Sequence, residues 1–512
     1  MHDVVIVGYG PVGAVMALQL AHAGLRVLIL ERGTEPLDLP RAVGLDGETA
    51  RMFQRLGIGD EMAKLYQPPR EGDAVWFTNS KHEPLFGMEM PLHGANGWRD
   101  MVFFDQPELE AALRQVVAAE PRIEVRLGRK VTELGQDADR VQLTSTAVDG
   151  DDPQTHEGAW AIGCDGASSF VRETLGIEWE SLGYDQDWLV IDVIQKPGAG
   201  LPGVTMQVCD PARLATYVCV KDPNRRWEFQ VLPGETREEM LRPEKIRELL
   251  DPWTSAEYYD LRRAAVYQFH AANAAAWRAG RVFLAGDAAH QTPPFLGQGL
   301  NAGFRDAVNL GWKIPLVHAG LCEASLLDSY AEERDAHARD LVDWAVAIGK
   351  LMETLAAREA GLPDPYQVDQ SSGYGQGRTA PPLRGGVLMA ANDDTSAVGV
   401  QLRQPSVREK GGRAERLDAF LGDGFAIVGQ RADDIALGAE AAAVWERLGG
   451  TILALEDFEL TEGEWDYALD QHPALLVRPD RFLFGGVDAD TSLDDLVFAL
   501  ARKLGLRDTT VG

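Results

Sequence analysis

Gly8-Tyr9-Gly10-Pro11-Val12-Gly13 sets three glycines at the spacing of a loop whose backbone amides can close around a pyrophosphate. Glycine there permits a tight turn and lets phosphate oxygens reach the N-terminus of a following helix, where unpaired N–H groups favour anions. Glu31 follows about twenty residues on, where a carboxylate can accept hydrogen bonds from both ribose hydroxyls and would repel a 2′-phosphate. FAD or NAD, rather than NADP, fits this pair. A second group begins at Gly286-Asp287 and runs through Pro293-Pro294 to Gly297-Gln298-Gly299-Leu300-Asn301. Asp287 can hold a polyol hydroxyl, and the amides from Gly297 to Asn301 can meet negative charge developing on a reduced flavin ring. Alone it reads as an acidic strand–loop–helix turn; beside the first motif it points to a flavin. A third stretch, Asp165-Gly166-Ala167-Ser168-Ser169-Phe170-Val171-Arg172, reads in isolation as a turn after a strand with a surface arginine.

These residues need a βαβ unit behind them, and the pattern supplies one. Asp3 to Val7 is a short apolar strand, Pro11 to Ala23 has helical periodicity, and Arg26 to Leu30 is a second buried strand. A helix from Pro107 to Ala119 and short strands lead to Asp165. Between about residues 178 and 269 the texture changes to alternating segments, the mark of an antiparallel arrangement. An apolar strand at Arg281–Ala285 and a helical region from about Gly299 to Ala360 then return to the first texture. The fold class is therefore α/β, with a Rossmann-like FAD-binding domain of the glutathione-reductase type interrupted by a mixed-sheet substrate domain. The expected divisions are 1–175 with 270–390, then 176–269 joined by about 72–100, a linker at 391–406, and a small α/β unit at 407–512.

Bulk properties bound the rest. A chain of 512 residues with 45% hydrophobic content can bury several cores. A formal charge of −30 argues against nucleic-acid and membrane partners, since both present negative surfaces. Met1-His2-Asp3 leads into an apolar strand rather than a basic leader, so a cytoplasmic location is expected. Cys164, Cys209, Cys219 and Cys322 are scattered without metal-ligand spacing, so neither a disulfide framework nor a metal site is expected.

On these motifs the sequence resembles the class A flavoprotein aromatic hydroxylases, within them the 3-(3-hydroxyphenyl)propionate hydroxylase group with its C-terminal thioredoxin-like domain. The resemblance implies a single-component monooxygenase in which NADPH or NADH reduces FAD and O2 adds to the flavin as a C4a-hydroperoxide. The terminal oxygen then hydroxylates a phenolic or polyketide-like small molecule. It implies FAD contacts at Gly8, Gly10, Pro11, Gly13, Glu31, Arg32, Val131, Gly286, Asp287, Gly297, Gly299, Leu300 and Asn301, and roles near FAD and NAD(P)H for Asp165, Gly166 and Arg172. Arg41, in Pro40-Arg41-Ala42-Val43-Gly44, resembles the arginine of a loop that follows flavin movement, and Gln106 a glutamine near the ribityl chain. A surface charge and a helix cap are their alternatives. The Pro294 carbonyl would face the reacting centre, while Tyr217 and Gln230, on separate strands, are candidates for touching substrate unless they face solvent or a packed sheet. His270 and His290 are set aside as structural.

Two departures stand out. Pro315 follows the family-like Trp312-Lys313 inside a helical pattern, where it removes a hydrogen bond and bends the axis. The C-terminal unit is family-like at Leu475-Leu476-Val477-Arg478-Pro479-Asp480-Arg481-Phe482 but contains no cysteine, so it cannot do dithiol chemistry and fits a structural or homodimer-contact role. A flavin epoxidase or Baeyer–Villiger-type oxygenase is the enzymatic alternative on the same fold, and a flavin-binding redox sensor the non-enzymatic one.

Overall fold

The computed structural model describes residues 2–36, 38–70, 72–293, 295, 297–367, 380–390 and 397–507. Its first sheet has six strands, in the order Arg278–Ala279, Val282–Leu284, Trp160–Gly163, Val4–Val7, Val27–Leu30, Ile123–Arg126. All pairings are parallel except the short edge pair Arg278–Ala279 with Val282–Leu284. Val4–Val7 and Val27–Leu30 are buried on both faces, as expected of continuous apolar runs in a covered parallel sheet. The helices Pro11–His22 and Gly299–His318 pack together at glycines of the second. A Cβ on Gly303 would stand 2.6 Å from Val12 Cγ2, and one on Gly311 2.9 Å from Gln19 Cβ. Pro315 lies inside the second helix one turn from its end, so the path continues to His318 with little ladder left to lose.

The second large sheet has eight strands, in the order His290–Gln291, Tyr259–Ala274, Trp179–Gln195, Asn224–Gln230, Ala215–Val218, Thr205–Val208, Ala74–Thr78, Pro84–Glu89. It is mixed because Thr205–Val208 runs parallel to Ala74–Thr78 while the other pairings are antiparallel. The boundary expected at 269/270 falls inside the strand Tyr259–Ala274, which carries the chain from this sheet back toward the first. One face packs a core containing Leu189, Ile191, Met206, Tyr217 and Trp227. The other face is free for the site, and beyond it Phe77 and Trp188 pack against Val342, Ala345 and Met352 of the long helix Asp328–Glu359.

Residues after 405 form a three-stranded antiparallel sheet and a four-stranded sheet ordered Thr451–Ala454, Ala426–Gly429, Ala474–Val477, Leu483–Gly486, with helices Ala439–Arg447 and Leu493–Leu504. Ser492 and Asp495 form a capping box on the last helix, and Gly505 closes it in the left-handed region. Two buried charge clusters tie this unit to the rest. Arg51 makes a bidentate pair with Asp418 at 2.8 and 2.7 Å, and Glu333 accepts from Lys313 at 2.8 Å and from Arg478 at 2.7 Å. Trp312 donates its indole N–H to Asp480 at 3.0 Å. The two family-like stretches at Trp312-Lys313 and Arg478–Arg481 are thus partners in one contact.

Candidate active site

The glycine turn sits between the strand Val4–Val7 and the helix Pro11–His22. A Cβ on Gly8 would lie 2.4 Å from the Cys164 carbonyl oxygen, and one on Gly13 2.2 Å from the Gly8 carbonyl oxygen, so both are required by close backbone approach. Gly10 is different: a Cβ there meets nothing within 4 Å, because that side opens into a cavity. The helix it caps receives no side-chain capping bond, which leaves its first amides for an anion. Glu31 is fixed by two backbone donors, Tyr9 N–H at 2.7 Å and Gly33 N–H at 2.6 Å, with the remaining lone pairs directed to the cavity it lines. The donor set fits the pyrophosphate and ribose of FAD.

The cavity is about 730 Å³ and continuous from this turn to the eight-stranded sheet. Arg32, Val131, Asp165 and Gly166 line it near the glycine turn; Arg41, Gln106, Asp287, Gly297, Gly299 and Leu300 line its middle. Gln106 accepts from the Ala42 N–H at 2.6 Å and donates to Glu110 at 2.6 Å, so it anchors the Arg41 loop. Arg41 reaches Asp287 at 3.5 Å across the cavity. Asp165 accepts from Ser169 Oγ at 2.5 Å and from the Val171 N–H at 3.1 Å; burial raises its carboxyl pKa against these bonds.

Other named residues act from behind the wall. Gly13 packs under the turn. Gly286 has φ +63° and donates its N–H to buried Asp306 at 2.8 Å. Asn301 is fully buried, accepting from Asp46 N–H at 3.2 Å and Thr49 Oγ1 at 2.8 Å while donating to Gly297 O at 2.9 Å. Arg172 donates to Ile177 O at 2.8 Å and lies over the Trp179 ring, away from the cavity lining. Pro294 lies outside the described residues. His290 is buried against Asp306 at 2.9 Å and stacked on Trp277, a structural position.

The two substrate candidates are not among the lining residues. Tyr217 points to the opposite face of the sheet, where its hydroxyl donates to Pro202 O at 2.8 Å and its ring packs on Trp227 and Trp253. Side chains alternate along a strand, so its neighbours Thr216 and Val218 face the cavity instead. Gln230 shares the parity of Arg226 and Glu228 but lies one step beyond the cavity, donating to Gln186 at 3.4 Å. Tyr217→Phe is expected to lower stability by about 1 kcal/mol through the lost hydrogen bond and to leave substrate preference unchanged. Thr216→Val is expected to change preference with stability nearly intact. Melting curves and relative kcat/KM on two phenols separate the cases.

Residues that the sequence did not single out complete the sheet side of the cavity. Gln207, Thr216 and Glu228 stand opposite one another on three adjacent strands, and Val218 and Arg226 form the next row. Thr216 donates to Gln207 Oε1 at 2.7 Å. Val75, Met101 and Phe103 add apolar surface. Arg226 pairs with Asp192 at 2.7 Å and donates to the carbonyls of Pro40 and Arg41, coupling the sheet to the Arg41 loop. Arg305, paired with Glu48 and Asp46, donates to Gln298 at 2.9 Å and steadies the glycine loop behind Gly297.

A sequence family described as FAD binding domain matches residues 1–345, and one described as HcaD C-terminal domain matches residues 399–503. The chain is 32% identical over 524 residues to the 3-(3-hydroxy-phenyl)propionate/3-hydroxycinnamic acid hydroxylase 2 of Burkholderia vietnamiensis, covering 95% of this chain and 94% of that protein. The 3-(3-hydroxy-phenyl)propionate/3-hydroxycinnamic acid hydroxylase of Escherichia coli is 32% identical over 510 residues, covering 94% and 91%. The crystal structure of aklavinone-11 hydroxylase with FAD and aklavinone superposes with a TM-score of 0.83 at 26% identity, covering 98% of this chain and 99% of that one.

Proposed function

The chain belongs to the FAD-dependent aromatic hydroxylases, and on that premise we propose that its cavity holds FAD from the glycine turn to the Gly297–Leu300 loop. A phenolic or polyketide-like small molecule then enters beneath the eight-stranded sheet and gains one oxygen atom on its ring. The observation that carries this reading is a single cavity joining Gly10 and Glu31 at one end to Thr216 and Glu228 at the other. Bound FAD supplies the acceptance of hydride from NAD(P)H and the activation of molecular oxygen.

The chain's own residues bind, orient and exclude. Free N–H groups of the glycine turn and the first helical turn after it would meet the pyrophosphate, the Glu31 carboxylate would accept from the ribose, and Asp287 would face the polyol chain. Amides from Gly297 onward would meet negative charge developing on the ring system, and a carbonyl at Pro294 joins this reading through the family resemblance. Val75, Met101, Phe103 and Val218 keep water from the reacting end. Arg226, which holds the carbonyls of Pro40 and Arg41, offers a route by which substrate beneath the sheet controls the Arg41 loop.

The division into an interrupted FAD-binding domain and a sheet domain is supported by strands at 4–30, 123–126, 160–163 and 278–284 sharing one sheet. The thioredoxin-like reading of the C-terminal unit is supported by a mixed four-stranded sheet in which a parallel pair, Thr451–Ala454 at the edge with Ala426–Gly429, is extended on one side by two antiparallel strands. No described helix is long and apolar enough to cross a membrane.

The test is consumption of NAD(P)H by the FAD-loaded enzyme. The expected result is slow consumption alone and a rise of about tenfold or more with the correct phenol, because early reduction without a ring to attack wastes the reductant. A rate indifferent to every phenol across a broad panel would contradict the reading.

A further inference from the structure

The sheet end of the cavity carries an unusual charge arrangement. Arg226 is the cation there, and its donors are spent: Nε on Asp192, one terminal nitrogen on Arg41 O, the other on Pro40 O and on the second Asp192 oxygen. A guanidinium has five N–H donors, so a single one remains, too few for the two-pronged grip that recognises a carboxylate. Its neighbour Glu228 lines the same wall with its side chain 7% exposed, and the nearest cationic atom is an Arg226 nitrogen at 3.9 Å, beyond hydrogen-bond reach. Among the described residues, no hydrogen bond satisfies the Glu228 carboxyl. Burial raises its pKa, against the pull of Arg226 and of Arg263. The remaining lining cations stand elsewhere. Arg114 covers the Tyr9 ring, Arg129 is bonded to Ser145 and Asp152, Arg32 and Lys130 lie by the glycine-turn end, and Arg41 faces Asp287.

We propose that Glu228 receives a hydroxyl hydrogen of an uncharged, hydroxylated aromatic substrate, and that this cavity disfavours the aromatic carboxylates named for its relatives. The inference rests on the hydroxylase reading of the cavity. A carboxyl that loses cavity water to a bound ring without gaining another partner is costly, and a substrate O–H removes that cost on binding. A substrate carboxylate at the same place sets two like charges in a low-dielectric wall or requires a proton to be taken up, and among the described residues no cation lining this end has two donors left to offset either; Arg263, which also draws the Glu228 carboxyl down, does not line the cavity and lies over the Tyr267 ring with a donor on Pro40 O. Thr216 and Gln207, in the same row, add neutral polar contacts suited to further hydroxyl or carbonyl groups.

The experiment pairs each acid with its primary amide: 3-(3-hydroxyphenyl)propionate and 3-hydroxycinnamate against 3-(3-hydroxyphenyl)propanamide and 3-hydroxycinnamamide. Binding to the FAD-loaded enzyme is read from the flavin absorbance change, and stimulation from NAD(P)H consumption. The expected result is that each amide binds about tenfold or more tightly than its acid, the factor that one unpaired charge interaction of moderate strength gives. Glu228→Gln is expected to shrink that ratio to within about threefold, with FAD content unchanged. Acids that bind as tightly as their amides, with normal stimulation, would overturn this inference and leave the hydroxylase reading standing. The wild-type comparison decides the point even if the variant loses flavin. Neutral polyphenols extend the panel, and a result in which neither acids nor amides nor polyphenols perturb the flavin would overturn both.

Discussion

Glu333→Ala is expected to destabilise the protein by about 3–5 kcal/mol, the cost of leaving buried charges without their partner. Glu333 is fully buried and compensates both Lys313 and Arg478, which are fully buried too. A loss of that size corresponds to a fall of roughly 10 °C in melting temperature for a unit of domain size. Removing the chain after residue 406 is expected to act more severely, since it also strips Asp418 from Arg51 and uncovers Trp312, Leu316 and Leu326. Among the described residues no cavity-lining residue lies beyond Leu300, so such a truncation keeps every described residue of the site and still fails through the fold. Acid should reproduce part of the effect. Burial alone would raise the Glu333 and Asp418 carboxyls, but Arg478 and Lys313 around the first, and Arg51 and Arg481 around the second, hold both well below the usual carboxylate range. A depressed folded-state pKa contributes stability that is complete above the unfolded value, near pH 4, and is lost as pH falls below it. Melting temperatures of wild type and Glu333→Ala should therefore converge as pH drops below about 4. Equal melting temperatures at neutral pH would mean that this cluster does not hold the C-terminal unit.

Gly10→Glu and Glu31→Arg are each expected to yield colourless protein with intact secondary structure and no hydroxylation. A side chain at Gly10 has room but points into the cavity, where a carboxylate would occupy and repel the pyrophosphate. Glu31→Arg loses the acceptor held by the Tyr9 and Gly33 amides and substitutes five donors that a ribose cannot satisfy. Gly8→Ala is a harsher change, because its Cβ would strike the Cys164 carbonyl. Flavin content per protein after gel filtration, with circular dichroism, separates lost cofactor from lost fold; full FAD occupancy in the first two variants would remove the glycine turn from the site.

What the sequence made legible is what acts through backbone at fixed spacing. Gly8 to Gly13 and Glu31 are local to one βαβ unit, so their order along the chain already implies their geometry. The sequence leaves Tyr217 open between substrate and a packed sheet because all four residues of Ala215–Val218 are buried, the odd ones against a core and the even ones against the cavity, so no polar alternation reveals which face is which. Glu228 and Thr216 were hidden for the same reason. The charge clusters were beyond reach because their partners lie far apart, 145 residues for Glu333 with Arg478 and 367 for Arg51 with Asp418. Asp306, which fixes the Gly286 turn while bound to His290 and Arg334, looks in sequence like any acid on a helix.

The central claim, that this cavity adds one oxygen atom from molecular oxygen to an aromatic ring, is tested most directly by running the FAD-loaded enzyme with NAD(P)H, a stimulating phenol and isotopically labelled O2. The account predicts a product heavier by one labelled oxygen, bonded to a ring carbon. Stimulated consumption that yields only hydrogen peroxide, or a label placed between two carbons, would contradict it.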